Sequence, residues 1–321
     1  MSIATSVIIC SRNRAELLRE TLLALQAPLE EAQQPVEVIV VNNASTDATD
    51  SVIKAARLPV TLRRVLAPHP GLSHARNAGV LAARGTLLLW TDDDVSPSSQ
   101  WLRAYEQAVQ DWPNAAFFGG PVEPVLQGIP PAWLQQSLTL VRHSFAAVDY
   151  GPTTFAITRV AQTPFGANYA IRADVQRHHP YDPTLGRQPQ HYWLAGEETN
   201  VLGAILATGG HGRWLPDARV QHRIPANRQS RRTLFAQAVG GGRTQIRRQQ
   251  LRGADRVGLR ALLRSGASVL RHMLRTVPYP LLGEHRRYIP RLYDMGTAIG
   301  QWRELRRYYQ TRNELENPHG I

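Results

Sequence analysis

Four times in the first 94 residues an apolar, β-branched run stops abruptly in polar residues or gives way to a helical pattern. Ser6–Cys10 runs into Ser11-Arg12-Asn13-Arg14, and Val36–Val41 runs into Asn42-Asn43-Ala44-Ser45-Thr46-Asp47. Val60–Leu66 is a third strand candidate, and Thr86–Trp90 leads almost directly into Asp92-Asp93-Asp94. Leucines at helical spacing over 15–26, and a similar pattern over 72–84, fill the gaps. Runs that are apolar on every residue, instead of on alternate ones, must be covered on both faces. The pattern therefore predicts a mostly parallel sheet with flanking helices. In such sheets ligands bind beyond the carboxyl ends of the strands, where loops and helix N-termini converge, and the polar clusters sit at those ends.

The 321 residues are enough for one large α/β domain with an appendage, or for two ordinary domains. At 43% hydrophobic and 19% charged residues, general disorder is excluded. Cys10 is the only cysteine, which excludes a disulfide framework and a cysteine-based zinc site and fits a reducing compartment. Residues 1–10 lack a basic segment followed by a long apolar one, so no secretory signal is expected there. No uninterrupted apolar run reaches the length of a membrane span.

The formal charge of +12 is unevenly distributed. Up to Pro225 there are 18 basic and 19 acidic residues; after it there are 19 basic and 6 acidic, and every one of those 19 is arginine. This split predicts a near-neutral body, 1–225, and a basic helical extension, 226–321. Further strands are expected over 165–172 and 213–220, with a helix over 197–208 between them. No internal repeat stands out.

Three consecutive aspartates at a strand end repel one another and raise each other's pKa unless a cation neutralises them. A hard divalent ion held by one or two carboxylates and by substrate phosphates meets that need; a solvated acidic turn is the plainer alternative. At this point the sequence resembles a known family. The segments 6–14, 38–47, 71–79 (Gly-Leu-Ser-His-Ala-Arg-Asn-Ala-Gly) and 89–97 (Leu-Trp-Thr-Asp-Asp-Asp-Val-Ser-Pro) are similar to successive blocks of family 2 glycosyltransferases. Gly-Ala-Asn at 166–168, Gly-Glu-Glu at 196–198 and Ala-Arg-Val-Gln-His at 218–222 continue the likeness in order.

The resemblance implies a GT-A fold, a Rossmann-like α/β sheet that takes a nucleotide diphosphate sugar with Mg2+ or Mn2+ in its first half and an acceptor in its second. It places Ser11, Arg12, Arg14, Asn43 and Asp47 around the nucleotide, with Arg76, Asp92, Asp93 and Asn168. Asp94, with Asp92 and His222, is implied as the metal set. Glu198, or its neighbour Glu197, is implied as the base of an inverting transfer, which must take the proton from an acceptor hydroxyl. Two departures stand out: Glu197-Glu198 replaces the commoner Glu-Asp pair, and Asn43 stands where an aspartate often faces uracil. The donor implied is a UDP-sugar, with dTDP- or GDP-sugars as alternatives, and the acceptor a glycan or lipid-linked carrier. Trp193 is a candidate platform for an acceptor sugar, or else an ordinary packed tryptophan.

Between 256 and 278 the arginines 256, 260, 264, 271 and 275 recur at steps of four or seven among Leu259, Leu262, Leu263, Leu270, Met273, Leu274 and Val277. A basic amphipathic helix of this kind suits an anionic membrane surface, and the resemblance adds lipid-linked acceptors; together they predict a cytoplasmic enzyme peripheral to the inner face. The alternative is a helix packed on the body with its arginines in water. Two other activities fit parts of the sequence. A nucleotidyltransferase would also use carboxylate-bound Mg2+. A nucleic-acid binder is invited by the pI of 10.6, but no recognition motif accompanies the charge, and no nucleic-acid partner is expected.

Overall fold

The computed structural model describes residues 2–253, 259–276 and 285–316. In chain order the elements begin with β1 (Thr5–Ser11), α1 (Ala15–Ala24), α2 (Gln26–Glu30), β2 (Val36–Asn42), α3 (Thr49–Ala55), β3 (Thr61–Leu66), α4 (Leu72–Ala82) and β4 (Leu87–Asp92). They continue through β5 (Val95–Pro97), α5 (Trp101–Asp111), β6 (Phe117–Gly119), β7 (Val122–Leu126), α6 (Ala132–Val141), β8 (Ala156–Ile157), β9 (Asn168–Arg172) and α7 (Ala173–His178). The remainder are α8 (Glu197–Ala207), β10 (Gly212–Trp214), β11 (Val220–Ile224), α9 (Arg231–Leu251), α10 (Leu259–Thr276) and α11 (His285–Glu316).

Tertiary contacts divide the chain into two compact units. The first comprises Met1–Val125, Phe145–Pro183 and Glu197–Ile224. Its main sheet has the order β3-β2-β1-β4-β9-β6-β10-β8, and β1 pairs in parallel with both β2 and β4. Val7–Ile9, Val38–Val41 and Leu87–Leu89 are buried throughout, which is the two-sided burial that their unbroken apolar sequence requires. The sheet is mostly parallel, as the sequence leads one to expect. β9 is an exception, running antiparallel to both β4 and β6. A smaller sheet of order β5-β11-β7 brings His222 opposite Val95, just after the aspartate run.

One sequence expectation fails here. The single strand expected over 213–220 is two strands in two different sheets, β10 and β11. Pro216 and Asp217 lie in the turn between them; proline has no N–H to give to a ladder, so the strand cannot continue through it. The strand expected over 165–172 begins only at Asn168, after a turn at Gly166 and Ala167. The helices expected over 72–84 and 197–208 form as α4 and α8.

The second unit comprises Leu126–Ser144, Thr184–Gly196 and Pro225–Ile321. Within it α11 packs against α9, α10 and α6. α9 and α11 approach until their backbones touch: a Cβ on Gly242 would lie 2.1 Å from the Thr297 carbonyl oxygen, and one on Gly300 would lie 2.0 Å from that of Val239. Buried Glu304 of α11 accepts from Arg243 and Arg247 of α9, at 2.7 Å each. The expected amphipathic stripe appears as α10; Arg256, Val277 and Pro278 lie outside the described residues. Among the described residues, no helix is long and apolar enough to cross a membrane.

Candidate active site

The loops after β1 and β2 carry the first two polar clusters, and side chains tie them together. Asn13 accepts the Thr46 N–H at 2.7 Å, and the Asn13 N–H donates to Ser45 Oγ at 3.1 Å. Asp47 caps both following helices: it accepts the Ala15 N–H at 3.1 Å and both the N–H and hydroxyl of Thr49, at 3.0 and 2.5 Å. Burial pushes the Asp47 pKa up, but those bonds outweigh it and hold the carboxyl below its usual value. Asn13 and Ala44 both have φ of 52°, the left-handed region, so the loops are held in an uncommon conformation at the end of the sheet.

The three aspartates lie in three different environments. Asp92 closes β4, and its side chain is 34% exposed. Asp93 turns inward, where it accepts from Ser11 Oγ at 2.7 Å and from Arg14 at 2.6 Å. Its pKa is raised, first by burial and then by neighbouring carboxylates, against the pull of Arg14. Buried Asp94 faces Arg14 at 2.5 Å and His222 Nε2 at 3.3 Å, both at Oδ2. His222 Nδ1 donates to the Phe145 carbonyl at 2.9 Å, and this fixes which ring nitrogen is presented to Asp94.

A carboxylate oxygen and an imidazole nitrogen set side by side at this separation have the donor types and spacing of neighbouring ligands on an octahedral divalent ion, roughly 3 Å apart. The residues therefore fit the cation that the sequence resemblance implies. Among the described residues, no three His, Cys, Asp or Glu side chains form a complete metal cluster.

Arg76, on α4, is almost completely buried and faces both acidic groups of the site. Its Nη2 lies 3.4 Å from Glu197 and 3.9 Å from Asp92, and its Nη1 donates to Tyr169 Oη at 2.8 Å. The guanidinium carbon stands 5.8, 5.6 and 5.4 Å from the ring centres of Trp90, Tyr169 and Tyr181, so aromatic faces surround the charge. The Tyr169 and Tyr181 hydroxyls bond each other at 2.6 Å. A Cβ on Gly166 would lie 2.6 Å from Arg76 Nη2, so a side chain there would press on the guanidinium.

Burial and neighbouring Glu198 raise the Glu197 pKa against the pull of Arg76. Arg76, at 3.4 Å, nevertheless gives Glu197 an internal cationic partner at the start of α8. Glu198 lies beside it, with Thr199 Oγ1 3.3 Å away as donor. Cys10, also in this pocket, has its thiol pushed up to about 12 by burial and remains protonated rather than serving as a nucleophile.

Several residues singled out in the sequence shape the site instead of facing into it. Asn43 spans the loop before α4, donating to the carbonyls of Ala67 and His69 at 3.1 and 2.7 Å and accepting the Gly71 N–H at 2.8 Å. Arg12 donates to the Asn43 carbonyl at 3.2 Å. Asn168 has no exposed surface: its oxygen accepts from Trp101 Nε1 and Tyr105 Oη, and its nitrogen donates to the carbonyls of Pro121 and Ala218. Trp193 belongs to the second unit, where its ring meets Tyr192 edge-on at 4.8 Å.

The aromatic surround of Arg76 escaped sequence reasoning, since Trp90, Tyr169 and Tyr181 come from distant segments and no spacing links them. Arg223 was also passed over, although it follows His222. It binds Thr21 Oγ1 at 2.7 Å, Ser96 Oγ and the Val95 carbonyl, and pairs with Glu20 at 3.1 Å, fastening β11 beside α1 and β5.

This arrangement has counterparts in known proteins. Residues 6–158 match the family described as glycosyl transferase family 2. The sequence is 26% identical to the succinoglycan biosynthesis protein ExoM of Rhizobium meliloti (strain 1021) over 242 residues, which is 74% of this chain and 72% of ExoM. The fold is similar to that of the mannosyltransferase PcManGT from Pyrobaculum calidifontis, solved with GDP-Man and Mn2+: TM-score 0.58, 18% identity, 94% of this chain and 87% of that one. It is similar also to S. aureus TarS 1-349 solved with UDP, with TM-score 0.53, 15% identity and coverage of 97% and 92%.

The mostly parallel sheet, with its acidic run at the strand end, is a GT-A fold, and the protein is a glycosyltransferase. Within that class, its residues 6–158 are similar to family 2. This decides between the enzyme classes weighed from the sequence in favour of glycosyl transfer.

Proposed function

We propose that the chain is a divalent-metal-dependent, inverting transferase that moves a sugar from a nucleotide diphosphate donor to a hydroxyl of a glycan or lipid-linked acceptor, in polysaccharide or glycoconjugate synthesis. The observation that carries this reading is the pairing of Asp94 Oδ2 with His222 Nε2 at 3.3 Å, beside an aspartate run in which only Asp92 is substantially exposed. Asp94, His222 and Asp92 would hold Mg2+ or Mn2+, which supplies positive charge to a departing diphosphate. ExoM's name supports polysaccharide synthesis, and the two solved relatives carry GDP-Man with Mn2+ or UDP. A UDP-sugar is the leading donor, with GDP- and dTDP-sugars as the alternatives.

The chain's own residues divide the remaining work. Arg14 neutralises Asp93 and Asp94 and holds the acidic run together. Arg76 fixes Glu197 and adds charge on the nucleotide side of Asp92. With Glu197 committed to that pair, Glu198 is the general base, taking the acceptor hydroxyl proton as the new glycosidic bond forms. Ser11, Arg12, Asn43 and Asp47 set the nucleotide cradle through its loops, Asn168 braces the strand beneath it, and Trp193 serves the acceptor. Residues 1–225 form the transferase domain and 226–321 its basic helical extension.

A thermal-shift panel of UDP-, GDP- and dTDP-sugars, with and without Mn2+, tests this reading. One donor should stabilise the protein only when Mn2+ is present, and Asp94→Asn should abolish that stabilisation. A donor shift independent of metal, or an unchanged one in the variant, would overturn the metal assignment.

A further inference from the structure

The face of α10 turned away from its neighbours is organised in two parallel rows. Leu259, Leu263, Leu270 and Leu274 are 52, 63, 59 and 69% exposed, and Met273 at 46% lies beside them. Arg260, Arg264, Arg271 and Arg275 follow one position later at the same steps of four, seven and four, and all four are exposed. One residue is about 100° of helix, so the rows run side by side along its length. The opposite face, with Ala261, Leu262, Ser265, Val269 and His272, is partly buried. That face turns toward α11: Gly266 lies near Trp302, a Cβ there falling 3.5 Å from its Nε1. α10 contains no acidic residue.

A helix that merely packs on the body with its charges in water would turn its leucines inward, and this one does not. We propose that the outer face of α10 docks on an anionic lipid bilayer, with the leucine row among the acyl chains near the headgroups and the arginine row on the lipid phosphates. Charge complementarity selects this occupant. Four guanidiniums without a counter-charge on the helix call for a dense anionic surface, and the adjoining apolar row calls for one with an accessible apolar layer. A polynucleotide offers only the first, and a second copy of this face would bring like charges together. The inference is independent of the donor and metal assignments, since it needs no catalysis.

Flotation of the full chain with phosphatidylcholine vesicles, with and without phosphatidylglycerol, tests it. Binding should require the anionic lipid. It should fall at least roughly tenfold in Leu263→Gln/Leu270→Gln, where exposed apolar anchors are lost, and by a similar factor in Arg264→Gln/Arg271→Gln. Both doubles should keep the wild-type circular dichroism and melting temperature, because all four positions are exposed. Unchanged vesicle binding in the leucine variant would overturn the proposal. So would a dimer that the same substitutions turn into a monomer, which would give the face to a second copy. Binding of RNA or DNA that the leucine substitutions leave intact, with no vesicle binding, would equally overturn it.

Discussion

Arg76 shows how a single buried charge can organise a pocket. Its guanidinium sits among three aromatic rings and reaches Glu197 and Asp92 at 3.4 and 3.9 Å. Deleting the arginine takes its charge out of the pocket altogether, whereas displacing it keeps the charge and tests its position. Gly166→Ala does this, because the new methyl would lie 2.6 Å from Nη2 and push the guanidinium away from Glu197. We expect transfer to fall at least about tenfold and the melting temperature to drop as the buried pair is stretched, the backbone at 166 itself needing no special φ; activity assay and thermal melt on the same sample check it. The sequence resemblance brings Arg76 and the Gly-Ala-Asn turn to attention as separate features. Their contact was not legible, because it crosses 90 residues and depends on where β9 enters the sheet. Likewise the polar identity of Asn43 and Asn168 reads as ligand binding, whereas the structure spends their amide groups on loop carbonyls and on buried ring donors.

The legible elements were those with a strong internal period. β1, β2 and β4 are apolar on both faces, and α10 repeats its arginines at helical steps, so each follows from the local pattern. The strand expected over 213–220 failed because Pro216 ends the first ladder and the chain then enters a different sheet, an outcome that a short apolar run does not encode. The α9–α11 pair was equally hidden, since its contact rests on glycines and a buried ion cluster rather than on an apolar stripe. That cluster gives an element-scale prediction. Burial raises the Glu304 pKa, but Arg243 and Arg247 lower it further, leaving it below its usual value of 4.5. A carboxyl depressed in the fold adds stability above its unfolded pKa and loses it as pH falls through the folded value. The helical unit should therefore weaken below about pH 4.5, and Glu304→Gln should flatten that dependence. At neutral pH Glu304→Ala should cost about 3 kcal/mol by stranding two arginines. Amide exchange in α9 and α11, followed against pH, measures both effects.

At the scale of the whole molecule, the formal charge changes from near-neutral to strongly basic after Pro225. On the proposed reading the near-neutral first part carries the chemistry in a few paired acids; the arginine-rich last part contributes helices, one of which exposes a leucine row beside an arginine row. The pI invites a nucleic-acid reading that the missing recognition motif already argues against, and the exposure on α10 is what the bilayer proposal adds to it. The central proposal concerns the first part: Arg76 holds Glu197, leaving Glu198 to act as the base. The most direct test is to measure donor affinity and turnover together in Glu198→Gln, with Mn2+ and the donor found by the thermal-shift panel. The account predicts a donor Kd within about twofold of wild type and a kcat lower by about two to four orders of magnitude, the range that general-base catalysis supplies. Turnover close to wild type in that variant would contradict it.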